Sequence, residues 1–319
     1  MKKRVLVTYN MFREGYAELI KKYDVTFPPD GVETFTYDEV LGMISEYDAL
    51  QSMFNFSVDK QLLDAAGDRL RIVSNYAVGF DNIDVNYARE RGVAVTNTPD
   101  PVTEPTADHA MGLLLAVSRR IAEIDRGLRR RTVKVELLGN LGHSLDGRTL
   151  GIVGMGRIGQ ALARRALASG MKIVYHNRRP LSEEIEQRYS AEYMSLDELL
   201  KCSDVVSINA PSTPETHHLM GAEQFKMMKR SAIIINTARG ALLDEKAMVE
   251  ALREGEIWGA GLDMFESGYY PMDELLELEN VVMTPHLGTQ TIEARNAMAA
   301  YVSQNIINFF EGGFVARVD

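Results

Sequence analysis

Residues 151–165 read GIVGMGRIGQALARR. Gly154, Gly156 and Gly159 give a G-x-G-x-x-G spacing. That spacing is weak on its own. Here TLGIVG precedes it as a β-rich run, and RIGQALARRALASG follows with helical periodicity. A strand, a glycine turn and a helix in that order are what a dinucleotide site requires. Gly154 permits the tight turn, Gly156 lets the backbone approach a pyrophosphate, and Gly159 permits close helix–strand packing. Arg157 and Ile158 fall in the first helical turn, where free N–H groups and the positive helix end favour phosphate. The competing reading, a helix start that merely uses glycines, leaves the flanking context unexplained.

The end of the next strand separates NAD from NADP. NAD sites usually place Asp or Glu there to bind the ribose hydroxyl. This chain reads YHNRRP, with Asn177 eighteen positions after Gly159 and followed by Arg178 and Arg179. A carboxylate would repel a 2′-phosphate, whereas an amide and two guanidinium groups attract one. NADP(H) is the expected cofactor, with NAD(H) as the other option. Two arginines solvated on the surface is the alternative reading of that pair.

Outward from the glycine loop the alternation continues. MKIVYHNRR, DVVSINAP, AIIINTAR, IWGAGLDMF and NVVMTPH read as strands, separated by the helical SLDELLKCS, GAEQFKMMKR and DEKAMVEALREG. Upstream, RVLVTY (4–9), YDVTFPP (23–29), DALQSMF (48–54), RIVSNYAVG (71–79) and VAVTNTP (93–99) alternate with polar amphipathic segments. The pattern predicts two α/β units with parallel sheets. Residues 103–126 are predicted as one long bridging helix, and 291–313 as a closing amphipathic helix. The segment 129–147 has weak periodicity and is predicted as a connector.

Bulk properties narrow the function. A chain of 319 residues exceeds what one core usually serves. A net charge of −10 argues against non-specific binding to nucleic acid or anionic membrane. Cys202 is the only cysteine, which excludes an intrachain disulfide and thiolate metal clusters. No run resembles a signal peptide or a membrane span. A cytoplasmic enzyme or binding protein is expected, with no metal.

Seven motifs then fall in order: NYAVGFDNIDV (75–85), PVTEPTAD (101–108), GIVGMGRIG (151–159), INAPSTPETHHLM (208–220), INTARGALLDEKAMVEAL (235–252), GAGLDMF (259–265) and TPHLGTQTIEAR (284–295). Together they resemble the D-isomer-specific 2-hydroxyacid dehydrogenases, with closest similarity to the glyoxylate/hydroxypyruvate reductase group. The resemblance implies two Rossmann/flavodoxin-like doubly wound parallel-sheet domains with a cleft between them. A discontinuous substrate domain (1–98 plus 288–319) would hold an inserted NAD(P)-binding domain (99–287). It also implies a homodimer, with the 103–126 region contributing.

Reduction of a 2-keto acid needs a hydride donor, a proton donor and a positive clamp for the carboxylate. Arg239, after the strand AIIINTA, matches the family's carboxylate- and carbonyl-binding arginine, a task suited to a planar guanidinium. His286 matches the family's general acid/base. Val78 and Gly79 match the loop whose N–H groups hold the substrate carboxylate. Asp263 matches the residue that bonds the nicotinamide carboxamide. Thr106, Pro211, Thr237, Ala238 and Gly288 match further cofactor contacts. Met53, Phe54 and Phe56 suit either an apolar substrate wall or core. Asp108, His109, His217 and His218 receive no role, and Met227 and Met228 read as packing residues.

One position departs from the family. The glutamate that orients the histidine usually stands five residues after the aspartate of GLD, and here that residue is Gly268. Glu266, two residues early, is displaced by about 7 Å along an extended strand. It is at best a displaced substitute, reached only by local rearrangement of the loop. Loss of a carboxylate beside His286 is expected to favour keto-acid reduction at more acidic pH. The leading reading is an NADPH-preferring reductase of a small 2-keto acid such as glyoxylate or hydroxypyruvate. The alternatives are a dinucleotide-binding sensor or partner protein with impaired catalysis, and a dehydrogenase for phosphorylated or bulkier 2-hydroxy acids.

Overall fold

The computed structural model describes residues 2–318. The chain divides into two compact units: residues up to Val102 together with those from Thr289 onward, and Thr103–Gly288.

In the first unit, β1 (Arg4–Val7), β2 (Asp24–Thr26), β3 (Ala49–Met53), β4 (Ile72–Tyr76) and β5 (Ala94–Thr96) form an all-parallel sheet. Their order is β2-β1-β3-β4-β5, the flavodoxin-like doubly wound order. Every residue of β3 and β4 is buried, as parallel strands covered on both faces must be. Met53 and Phe56 belong to the core here, at 3% and 7% exposure, rather than to an apolar substrate wall. The helix Ile292–Glu311 packs in this unit, where Met298, Ala299, Val302 and Ile306 share a cluster with Val5, Tyr16 and Ile72. Thr291 caps its start by accepting the N–H of Ala294 at 3.1 Å. Gly15 sets the approach of this helix. A Cβ there would lie 2.4 Å from Ala299 Cβ and 2.7 Å from Asn296 O.

The second unit holds β6 (Thr149–Val153), β7 (Lys172–His176), β8 (Ala191–Tyr193), β9 (Val205–Ile208), β10 (Ile233–Asn236), β11 (Gly259–Leu262) and β12 (Val281–Met283). They form a parallel sheet in the order β12-β11-β10-β9-β6-β7-β8. Counted from β6 this is the Rossmann order with one extra strand. Its topological switch lies between β6 and β9, and ligands bind such sheets outside the carboxyl ends of the strands. The Ile-Ile-Ile run of β10 is buried on both faces. The strand β8 was not read in the sequence. Its three residues, two of them exposed, show neither an apolar run nor alternation.

The helix predicted over 103–126 is broken. Thr103–Ser118 and Ile121–Arg130 are separate helices, and Arg120 between them takes a left-handed φ of 54°. The cause is distant in sequence. His143 N–H donates to the Ser118 carbonyl at 2.7 Å, and a Cβ on Gly142 would come within 2.4 Å of that oxygen. The chain at 142–143 thus occupies the space of the next helical turn. Among the described residues no helix or strand lies between Arg130 and Thr149.

Replacing Gly15 by Ala is expected to destabilise the first unit by about 1–3 kcal/mol, the usual cost of overpacking. Urea unfolding followed by hydrogen exchange should show lost protection in Ile292–Glu311. Unchanged protection there would refute the steric reading.

Candidate active site

The glycine loop leaves β6 and enters the helix Arg157–Ala168. Its three glycines are needed for three different reasons. Gly154 has φ 93°, and a Cβ on it would meet the backbone of Asn209 and Ala210 at 2.7 Å. A Cβ on Gly159 would lie 2.6 Å from Gly154 O and 3.0 Å from Ile152. Gly156 has nothing within 4 Å of that position, so its backbone is open to a ligand. Arg157 and Ile158 begin the helix over which a pyrophosphate would sit. At the end of β7, Asn177 Oδ1 accepts the Met155 N–H at 2.7 Å and ties the two loops together. Arg178 and Arg179 follow it, both exposed.

Two buried polar atoms suit a bound dinucleotide. Thr237 Oγ1, after β10, and Asn209 Oδ1, after β9, have no hydrogen-bond partner among the described residues. Orphaned buried oxygens of this kind call for a partner that the protein does not itself supply. Together with the open backbone at Gly156, they make the carboxyl edge of this sheet a fit for NAD(P). Pro211 follows β9, and its carbonyl accepts from Thr216 Oγ1 at 2.8 Å.

Arg239 lies three residues beyond β10. The buried Asn236 side chain braces this turn, accepting the Ala238 N–H at 3.0 Å and donating to Arg239 O at 2.9 Å. Gly240 packs directly on the next loop, since a Cβ there would sit 1.9 Å from the Phe265 backbone. Asp263 follows β11 and is 1% exposed. Its Oδ1 accepts from Thr284 Oγ1 at 2.6 Å and from Leu287 N–H at 2.7 Å. Its Oδ2 accepts from Gly288 N–H at 2.9 Å. His109 Nε2 stands 3.2 Å from Oδ1 and 2.8 Å from Thr284 Oγ1. Burial by itself would raise the Asp263 carboxyl. The bonds from His109, Thr284 and Leu287 outweigh it and hold the group below its ordinary value.

Asp263 therefore grips the segment that contains His286. The His286 N–H donates to Asp263 O at 2.8 Å, and the residue holds a left-handed φ of 59°. The resemblance casts Asp263 as a nicotinamide contact, yet both of its oxygens are already engaged on the 284–288 segment and His109. Thr106 and Gly288 adjoin it, with a Cβ on Gly288 falling 3.2 Å from Asp263 Oδ2 and 3.4 Å from Thr106.

Glu266 does not turn toward His286. Its carboxylate accepts from His218 Nε2 at 2.6 Å. His217 stacks on His218 with ring centroids 4.0 Å apart. These two rings and Glu266 place one donor atom each within 4.8 Å of one another. The backbone N–H of Glu266 donates to the Glu245 carboxylate, which is 5% exposed. Burial pushes the Glu245 carboxyl above its ordinary value, despite bonds from the backbone of Glu266 and Met272. Gly268 has φ 108°. Tyr269 follows, its ring centroid 6.2 Å from that of His286 at an interplanar angle of 26°.

In the first unit, Val78 and Gly79 follow β4. Asn97 Nδ2 donates to Val78 O at 2.8 Å, and Asn75 Nδ2 to Gly79 O at 2.9 Å, which fixes the loop. Sequence reasoning missed Asn236, Glu245, Thr284 and Tyr269, and gave His109 and His218 no role. Asn236 acts locally, on the turn that follows it, whereas the others act on residues distant in sequence.

The comparisons agree with this geometry. Residues 111–288 match the D-isomer specific 2-hydroxyacid dehydrogenase, NAD binding domain, family. The chain is 46% identical to glyoxylate reductase of Thermococcus litoralis, over 98% of this chain and 95% of that protein. It is 44% identical to glyoxylate reductase of Pyrococcus furiosus, over 98% and 94%. A solved structure of an NADPH-dependent glyoxylate/hydroxypyruvate reductase from Sinorhizobium meliloti, with NADP and malonate, superposes with a TM-score of 0.85 at 31% identity, covering 99% of this chain and 96% of that one. Among the described residues no helix is long and apolar enough to cross a membrane. With its paired parallel-sheet units and this arrangement at the carboxyl edge, the chain belongs to the D-isomer-specific 2-hydroxyacid dehydrogenase family, oxidoreductases that act on the CH–OH group of 2-hydroxy acids.

Proposed function

We propose that this protein is an NADPH-preferring reductase that converts a small 2-keto acid, glyoxylate or hydroxypyruvate, into the D-2-hydroxy acid. The observation behind this reading is the placement of Arg239 and His286 at the carboxyl ends of β10 and β12 in one sheet, with β11 and Asp263 between them. The Thr103–Gly288 unit is read as the nucleotide-binding domain and the other unit as the substrate domain.

The dinucleotide would be held by the Gly154–Gly159 loop, by Asn177, Arg178 and Arg179 at the adenosine end, and by Thr106, Pro211, Thr237, Ala238, Asp263 and Gly288 toward the nicotinamide. Bound there, the reduced nicotinamide supplies the hydride. Arg239 offers a planar pair of N–H donors to the substrate carboxylate and polarises the keto oxygen. The N–H groups of Val78 and Gly79 take the same carboxylate. His286 gives its proton to the oxygen as negative charge develops, and recovers one between turnovers. Asp263 serves chiefly as the brace that holds His286 in place. For NADPH, the support is the amide at Asn177 and the two exposed arginines beside it. A homodimer is supported by the apolar side chains that the 121–141 region leaves bare. Val135 is 94% exposed, Leu137 95% and Leu138 78%, more apolar surface than an isolated chain comfortably presents to water.

Replacement of His286 by Ala is expected to lower kcat for glyoxylate reduction by about 10²–10⁴-fold, with NADPH binding by fluorescence titration retained. Near-normal turnover would remove the acid assignment. Reduction consumes a proton that the imidazole delivers, so its rate should fall as pH rises, and the reverse oxidation should rise. The double variant Arg178→Ala, Arg179→Ala should cut kcat/KM with NADPH at least about tenfold while sparing NADH, on the scale of lost charge-assisted bonds. Equal use of both cofactors by the unaltered protein would refute the preference. Leu137→Asp with Leu138→Asp should shift the species seen by light scattering from dimer to monomer.

A further inference from the structure

We propose that Tyr269 is a positioning residue for His286, performing with its ring face the orienting task that relatives give to a carboxylate at position 268. The inference rests on the reading of His286 as the acid/base.

Gly268 offers no side chain. A glutamate placed there would have to hold φ 108°, which L side chains rarely adopt. Reciprocal backbone bonds, Phe265 N–H to Gly268 O at 3.3 Å and Gly268 N–H to Phe265 O at 3.1 Å, close a tight turn with Glu266 and Ser267 at its tip. That turn delivers Tyr269 to the imidazole. The centroid distance of 6.2 Å and the 26° tilt fall within the range of attractive offset-stacked rings.

The presenting loop is held on both sides of Tyr269. Gly240 packs against the Phe265 backbone. Glu245 accepts the backbone N–H of Glu266, just before the tyrosine. The Glu266 carboxylate is held by His218, and Ser267 Oγ donates to Tyr270 O at 2.7 Å. On the other side, Asp263 fixes the His286 backbone. The Tyr269 ring lies alongside that of His286, and this contact restrains rotation of the imidazole. A ring face also favours an imidazolium electrostatically, though without the full charge of a carboxylate. Glu266 cannot fill this role while it is bonded to His218.

The test compares Tyr269→Ala with Tyr269→Phe in the full-length protein. In glyoxylate reduction with NADPH, Tyr269→Ala should lose about ten- to hundredfold in kcat, the scale of a misplaced catalytic group. The KM for NADPH should stay close to its original value. The solvent deuterium isotope effect on kcat should grow, because proton delivery slows. Tyr269→Phe should keep most of kcat and leave the isotope effect unchanged. Independently of turnover, NMR of ring-labelled histidine in the cofactor-free protein should show the His286 resonances shifted in Tyr269→Ala and nearly unmoved in Tyr269→Phe. A wild-type kcat in Tyr269→Ala, an equal loss in both variants, or an unmoved His286 resonance in Tyr269→Ala each overturns the proposal. Failure of the unaltered protein to reduce glyoxylate or hydroxypyruvate would instead count against the functional reading, and the NMR comparison would still decide the ring contact.

Discussion

The carboxylate of Asp263 is the point on which the site depends. It is buried at the end of β11, and it collects the hydroxyl of Thr284 and the N–H groups of Leu287 and Gly288. Its main chain bonds both neighbours: its N–H donates to Asn236 O, and its carbonyl accepts the His286 N–H. One residue thus links the turn that presents Arg239 to the turn that presents His286. The left-handed backbone of His286 is an uncommon conformation for a residue with a side chain, and it persists because its surroundings over-determine it.

The same logic extends along the sheet edge. Parallel pairing of β10, β11 and β12 sets the spacing of the three turns. The contact of Gly240 with Phe265 locks the first turn to the second. No separate scaffold is needed to place the guanidinium and the imidazole, because strand register and two side-chain braces suffice. A site on strand ends is more rigid than one on free loops, and rigidity is what preorganised catalysis requires.

Much of this was legible in the sequence. The glycine loop could be read because each glycine has its own steric reason, and those reasons recur in the contacts of Gly154, Gly156 and Gly159. The β10 run could be read because a strand buried on both faces needs continuous apolar residues. The break after Ser118 could not be, because apolar spacing continues across it and its cause is the chain at 142–143. Glu245 looked like an ordinary acidic residue in the first turn of a helix, yet it is buried under the 266–272 loop. Asp263 was legible as a cofactor contact but not as a brace, because its donors come from positions 109, 284, 287 and 288. Gly268 was recognised as a gap. What fills it depends on the fold of the 266–272 loop, which no periodicity encodes.

Two buried carboxylates stand on either side of that loop, and their ionisation is shifted in opposite directions. Burial disfavours charge in both. Asp263 overcomes the penalty with a hydroxyl, His109 and backbone donors, and its carboxyl is held low. Glu245 has backbone donors but also faces the negative charge of Glu266, and its carboxyl is pushed up. The linkage signs follow. The depressed group contributes stability above its unfolded pKa, and that contribution is lost as pH falls through its folded pKa. The raised group does the reverse: its protonated form is favoured on folding, so stability falls as pH rises from the unfolded toward the folded pKa. The brace on His286 is therefore robust toward alkaline pH and yields in acid. The anchor of the Tyr269 loop is strained once Glu245 ionises, and the bond from the Glu266 N–H offsets part of that strain. Between these limits Asp263 is ionised and Glu245 is neutral, so the brace on His286 and the anchor of the loop are both in their favoured forms.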